Sequence, residues 1–270
     1  MKNNFGLHLA RWRATRRVSQ LDLALETNIS QKHLSFVELG RAQPSRDMVL
    51  KLAGGLDLPL RARNELLLSA GYAPLYPERR LELAEMQGAR EALELILRHH
   101  EPYPAIVTDA GWNIVLQNAA AARLIALCIG SNPPAQLAPD SSANFIRLMF
   151  APSGLRPHIQ NWTHTRAALM ARLRREAHAN PGSPSDHLLR ELDGEGRMSR
   201  EEDAGDNAPL DPILSLELLV DHRRLRLFST FTTFGTPQDI TLQELRIDLS
   251  FPADQPTREF LVSAAGGKAA

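Results

Sequence analysis

The chain has 270 residues, 43% of them apolar and 23% charged, the composition of a folded, soluble protein of about two domains. One cysteine, Cys128, excludes a disulfide framework and any multi-cysteine zinc or iron–sulfur site, and the proline-broken run from Leu124 to Pro139 excludes a transmembrane helix. The net charge is zero, yet Met1–Pro77 holds eleven Lys and Arg against six Asp and Glu, while the remainder holds twenty against twenty-five. That asymmetry fits a basic head that meets a polyanion and an acidic body that does not.

Met1-Lys2-Asn3-Asn4 lacks the apolar core of a secretion signal, so a reducing cytoplasm is the expected location. Leu7, Leu9, Ala10 and Trp12 predict a first helix over about 5–15. Ser19 is an N-cap for a second, carrying Leu21, Leu23, Ala24 and Leu25, with Asp22 standing where a capping box has Glu. Asn28 sits at a sharp turn that needs the left-handed conformation, Ile29 plugs it, and Ser30 caps a third helix that Gly40 ends. Pro44-Ser45 starts a fourth helix and Leu58-Pro59 a fifth, which Gly71 and Pro74 stop. Five short helices with tight turns make a compact all-α unit.

Within it, the run Ser19-Gln20-Leu21-Asp22-Leu23-Ala24, then Ile29-Ser30, then Leu34-Ser35-Phe36-Val37-Glu38-Leu39-Gly40-Arg41 resembles the helix-turn-helix of the Cro/phage-repressor (XRE) family. The resemblance implies that the third helix enters the major groove of a double-stranded DNA operator by its N-terminal half. Gln31 and Lys32 would read base edges and Phe36 a thymine methyl, with Ser35 beside them on the outward face. Gln20, Ser30 and Arg41 would hold phosphates. Arg13 and Glu38 match positions that pair to fix the pose of the reading helix. Asn28 stands where the family often has Gly, and Phe36 where it often has a polar residue.

Residues 1–72 are thus assigned to the DNA-binding domain and 73–100 to a connecting segment and helix, with Tyr72 and Tyr76 pinned against the head. A PAS-like sensor domain is expected over 101–260 and a tail over 261–270. Ala105–Thr108 and Trp112–Leu116 predict strands around an Asp109-Ala110-Gly111 turn, and Asn118 caps a helix to Leu127. Helices are predicted over about 141–150, 159–179 and 187–192, and a mobile acidic loop over 191–209. Strands over 213–220, 224–234 and 241–251 close an α+β fold, an antiparallel sheet with helices on one face.

The XRE head, the body's Phe150-Ala151-Pro152 leading to Trp162, the stretch Phe228–Leu245 and the closing Phe251-Pro252-Ala253-Asp254 resemble the MmyB-like transcription regulators. That resemblance implies a regulator whose body holds a small apolar ligand of the fatty-acid type. Trp112, Phe145, Met149, Trp162, Leu169, Phe228 and Phe231 are the candidate lining, and Arg166, Arg147 or His164 a candidate polar anchor. A homodimer on a near-palindromic operator is expected, with neither metal nor cofactor, although haem held through one histidine is an alternative. A body that serves only protein contacts or dimerisation is the second reading. No phosphate loop, zinc-protease helix pair or Gly-Xaa-Ser-Xaa-Gly elbow points to an enzyme.

Overall fold

The computed structural model describes residues 4–130, 143–195 and 215–266. The chain forms two compact units, Met1–Arg80 with Gly235–Gln243, and Leu81–Phe234 with Glu244–Ala270. In the first, α1 (Asn4–Arg16), α2 (Gln20–Thr27), α3 (Gln31–Glu38), α4 (Arg46–Gly55) and α5 (Leu60–Ser69) follow the predicted spans closely. The local chemistry is the reason. Ser19, Ser30 and Ser45 each accept a hydrogen bond from the backbone N–H three residues on, and Ser19 with Asp22 completes a capping box. Asn28 takes φ 55° as the C-cap of α2.

Leu9, Leu23, Leu34, Val37, Leu52 and Leu66 form the centre of the head's core. Leu7, Leu21 and Leu25, counted among the apolar positions of their helices, are instead exposed. Each helix here is too short to bury more than one stripe. Gly55 ends α4 against α2 so closely that a Cβ would stand 2.6 Å from Thr27 Cγ2. Tyr72 donates to the Pro44 carbonyl at 2.9 Å, and Asn64 ties down Leu75 and Tyr76 through their backbone groups.

The strand predicted over 241–251 begins late. Asp239 accepts from the Thr241 N–H and starts the short helix α11 (Ile240–Glu244), and only after it does the strand run. Residues 235–243 pack with the head. The Ile240 N–H donates to Pro77 O (2.9 Å), Arg79 pairs with buried Asp239 (3.2 Å), and Gln243 Oε1 accepts from Leu60 N–H (2.7 Å). The last bond caps α5, whose own N-cap, Pro59, offers no side-chain acceptor.

The second unit is built on an antiparallel five-stranded sheet in the order β2-β1-β5-β4-β3. Its strands are β1 (Ala105–Thr108), β2 (Ile114–Gln117), β3 (Ser215–Val220), β4 (Arg223–Thr232) and β5 (Arg246–Pro252). The helices are α6 (Gln87–His100), α7 (Ala119–Ile129), α8 (Phe145–Phe150), α9 (Trp162–Ala179), α10 (Pro184–Glu195) and α12 (Gln255–Gly266). Asn118 caps α7 and also joins β1 to what precedes it, accepting from Ala105 N–H and donating to Tyr103 O.

Two predicted boundaries move. Residues 191–195, expected in a loop, finish α10, and the rest of that loop lies outside the described residues, as do 141–142 of the predicted helix. The expected tail carries most of the second half of α12, because Leu261 is a core residue and Thr257 Oγ1 accepts from Arg226 N–H.

Candidate nucleic-acid interface and apolar cavity

In the head, α2 and α3 cross through Ala24, Leu34 and Val37, all buried, which turns the leading edge of α3 outward. Gln31, Lys32 and His33 are exposed, Ser35 and Phe36 half-buried, and Ser30 and Arg41 exposed on either side of them. Lys32 Nζ lies 5.8 Å from the centre of the Phe36 ring, so the cation and the aromatic face form one patch. His33 was not among the predicted contacts, although its place between Lys32 and Leu34 in the first turn is legible from the helix phase.

The pose of α3 is held by a buried polar knot. Arg13 meets Glu38 through two hydrogen bonds (2.6 and 3.1 Å) and donates a third to Val18 O. Gln20, expected at a phosphate, donates its side-chain amide to Glu38 Oε2 at 2.5 Å and is half-buried. The reason is local: Gln20 begins α2 where Glu38 ends α3, and a carboxylate already bonded to Arg13 still has acceptor capacity. Arg16 reaches the C-terminal end of α4, donating to Leu56 O and Asp57 O, whereas Arg17 is exposed with φ 56°.

The second unit encloses a cavity of about 70 Å³ between one face of the sheet and α7, α8 and α9. Phe145 and Met149 come from α8, Thr165 and Leu169 from α9, Leu124 from α7, and Phe231 from β4. Four of the predicted lining residues therefore meet there: Phe145, Met149, Leu169 and Phe231. The other three, Trp112, Trp162 and Phe228, do not, and neither does the anchor candidate Arg166. Phe228 is on the opposite face of β4, stacked on Phe251 at 5.3 Å, because strand neighbours of odd separation point apart. Trp162 packs edge-on against Phe150 under Arg156. Arg166 follows Thr165 on α9, about 100° further round the helix and away from the cavity.

Trp112 is buried beside the cavity rather than on it. Its Nε1 donates to Glu176 Oε2 (3.0 Å), and the guanidinium of Arg172 lies between its ring (4.8 Å) and that of Phe231 (3.5 Å). Glu176 also accepts from Arg172 Nε (3.1 Å) and Ser185 Oγ (2.7 Å), and stands 3.4 Å from Arg246. Arg147, another anchor candidate, is committed to Glu191 at the surface, and His164 does not line the cavity.

The polar lining comes from residues the sequence pattern left aside. β5 alternates an apolar phase, Ile247, Leu249 and Phe251, with a polar one, and it is Asp248 and Ser250 of the polar phase that line the cavity. No residue of β5 is exposed, so alternation alone does not tell which of its phases faces the helices. Ser229 and Ser250 stand opposite each other with their hydroxyls 3.1 Å apart. Burial pushes the Asp248 carboxyl up to about 6, against the lowering pulls of the Ser229 hydroxyl and the Arg172 charge. Cys128 is buried on α7 and its thiol is pushed up to about 11 by burial first and Asp221 second, which makes it a poor nucleophile.

Two family models match the chain. Residues 9–62 match the model described as helix-turn-helix, and residues 89–263 the model described as MmyB-like transcription regulator ligand binding domain. No curated protein matches. Among solved structures the chain is similar to one described as an RNA-binding Light-Oxygen-Voltage receptor, at 13% identity and a TM-score of 0.28. The match covers 98% of this chain and 64% of the other, and at that TM-score it bears on neither fold nor function. Among the described residues no helix is long and apolar enough to cross a membrane.

Proposed function

Since the chain belongs to the MmyB-like transcription regulators, a family of DNA-binding proteins with a ligand-binding domain, we propose that it reads its operator through the leading edge of α3 and responds to a small apolar ligand in the cavity. The observation that carries this is the pairing of an exposed Gln31-Lys32 edge, posed by the Arg13–Glu38–Gln20 knot, with an enclosed, mostly aliphatic cavity in the second unit. Gln31 pairs with adenine, Lys32 with guanine O6 or N7, and Phe36 with a thymine methyl, while Ser30 and Arg41 hold phosphates. Gln20 serves the pose of α3 first.

The ligand is an aliphatic molecule, with the fatty-acid type the class to test first. At about 70 Å³ the cavity holds several water-sized groups, so a long chain enters only as the surrounding helices give way. Such an opening is a differential interaction of the kind that shifts a regulator between two states. β4 and β5 both line the cavity, and the segment that joins them, residues 235–243, belongs to the head unit. A shift of the two strands is thereby passed to the cap of α5 along the chain itself. The protein acts as a homodimer in the cytoplasm, on half-sites about 34 Å apart.

The test is selection of bound duplexes from a random pool by the full chain, followed by binding measurements at fixed salt. A near-palindromic site whose affinity changes when an aliphatic ligand is added supports the reading. Binding without sequence preference, with no response to any such ligand, overturns it.

A further inference from the structure

The cavity is closed by aliphatic and aromatic side chains except for one patch on the sheet, where Asp248, Ser229 and Ser250 meet with Thr165 of α9 among the other lining residues. The hydroxyls have partners. Ser229 and Ser250 bond each other, and Thr165 Oγ1 donates to Asn161 Oδ1 at 3.2 Å. Asp248 is different: it is 8% exposed, and its Oδ1 is buried with no hydrogen bond. Two other buried polar atoms of the described residues lack a hydrogen bond, Trp162 Nε1 and Arg246 Nη1, and neither residue lines the cavity.

An unpartnered carboxylate oxygen in apolar surroundings costs several kcal/mol of solvation unless a donor reaches it. Among the described residues no side chain supplies that donor to Oδ1, and the Ser229 hydroxyl that pulls on the carboxyl is shared with Ser250. The nearby guanidinium groups of Arg172 and Arg246 are turned to Glu176, and Arg172 has the Phe231 ring against it. The register sets Asp248 between Ile106 of β1 and Phe231 of β4, both of which line the cavity.

We infer that the cavity selects an aliphatic molecule whose polar end donates a hydrogen bond, a hydroxyl or an ammonium, to Asp248, in preference to one that ends in a carboxylate. This rests on the apolar-ligand reading above but departs from its fatty-acid class, since it requires a head group that donates. A carboxylate brought to the same place would set two anions together in a medium that screens them poorly. The raised position of the Asp248 carboxyl fits the same geometry, since a bound donor restores what burial withdraws.

Four probes of eight carbons each separate the head groups: 1-octanol, octylamine, octanoate and 1-methoxyheptane, which accepts but does not donate. Binding to the full-length protein is measured by calorimetry at pH 8. The expected result is that octanol and octylamine bind at least tenfold more tightly than octanoate and methoxyheptane. In Asp248→Asn the advantage of octylamine over octanoate should shrink at least tenfold. Octanoate equal to or tighter than octanol on the unmodified protein overturns the inference and leaves the apolar-ligand reading standing. Equal binding of octanol and methoxyheptane overturns it as well. If none of the four binds, the apolar-ligand reading itself fails and takes the head-group assignment with it. The comparisons on the unmodified protein decide the matter even if the Asp248→Asn protein does not fold.

Discussion

On the proposed reading Gln31 and Lys32 meet bases and Arg41 a phosphate, and salt separates the two roles. Replacing Gln31 or Lys32 by Ala should cost about 1–3 kcal/mol at the selected operator and relax discrimination at the bases they face. Arg41→Ala should instead weaken all duplexes alike and reduce the slope of log K against log salt by about one. Fluorescence anisotropy over a salt series on the operator and on scrambled duplexes measures both. Asp248 makes a second prediction at this scale. Its folded carboxyl, pushed up to about 6 by burial, lies above the ordinary unfolded value of about 3.9. The folded state therefore binds the proton more tightly, so the stabilisation is full below about pH 4 and is lost as pH rises through 6. The charge that pulls on it is Arg172, itself bonded to Glu176, which also stands 3.4 Å from Arg246. A difference of about two units corresponds to about 3 kcal/mol. Urea unfolding of the ligand-free protein should show Asp248→Asn gaining on the wild type by that order between pH 4 and pH 7.

At the scale of elements, α3 is held by what surrounds its C-terminus as much as by its own sequence. Glu38 joins Arg13 of α1 and Gln20 of α2 in one knot, with only 7% of its side chain exposed. Glu38→Ala leaves the Arg13 guanidinium without its carboxylate, and such a loss at a buried pair costs about 3 kcal/mol or more. Thermal unfolding should show it, and operator affinity should fall even though Glu38 touches no base. The cap of α5 is supplied from far along the chain by Gln243. Gln243→Ala should cost about 1 kcal/mol, the usual worth of a lost N-cap. Helix boundaries such as these were legible because the serine caps, Asn28 and the glycine stops act within a few residues. The cap by Gln243 was not, since nothing local marks a residue 183 positions away as the acceptor.

For the whole molecule, the prediction concerns coupling. Asp239 fixes the segment 235–243 to the head through Arg79 and starts α11 through Thr241 N–H. Asp239→Ala should keep operator affinity in the absence of ligand within a few-fold of the wild type while reducing the ligand-induced change in that affinity. Gel-shift titrations with and without octanol measure the two quantities separately. By linkage, the same variant should reduce the effect of operator on octanol binding by an equal factor.

The sequence by itself determined the five helices of the head, the outward edge at Gln31 and Lys32, and most strands and helices of the body, though not α11 or α12. Each follows from caps, helical periodicity and β-branched runs that act over a few residues. Only the tertiary structure decided which phase of β5 meets the helices, bringing Asp248 in; it also stacked Phe228 on Phe251 and drew Gln20 to Glu38. The physical reason is that no residue of β5 is exposed, so no solvent side breaks the tie between its two phases, whereas on β4 the exposed Arg224, Arg226 and Thr230 mark the outer one. Side-chain pairing between distant segments depends likewise on packing that no local pattern encodes.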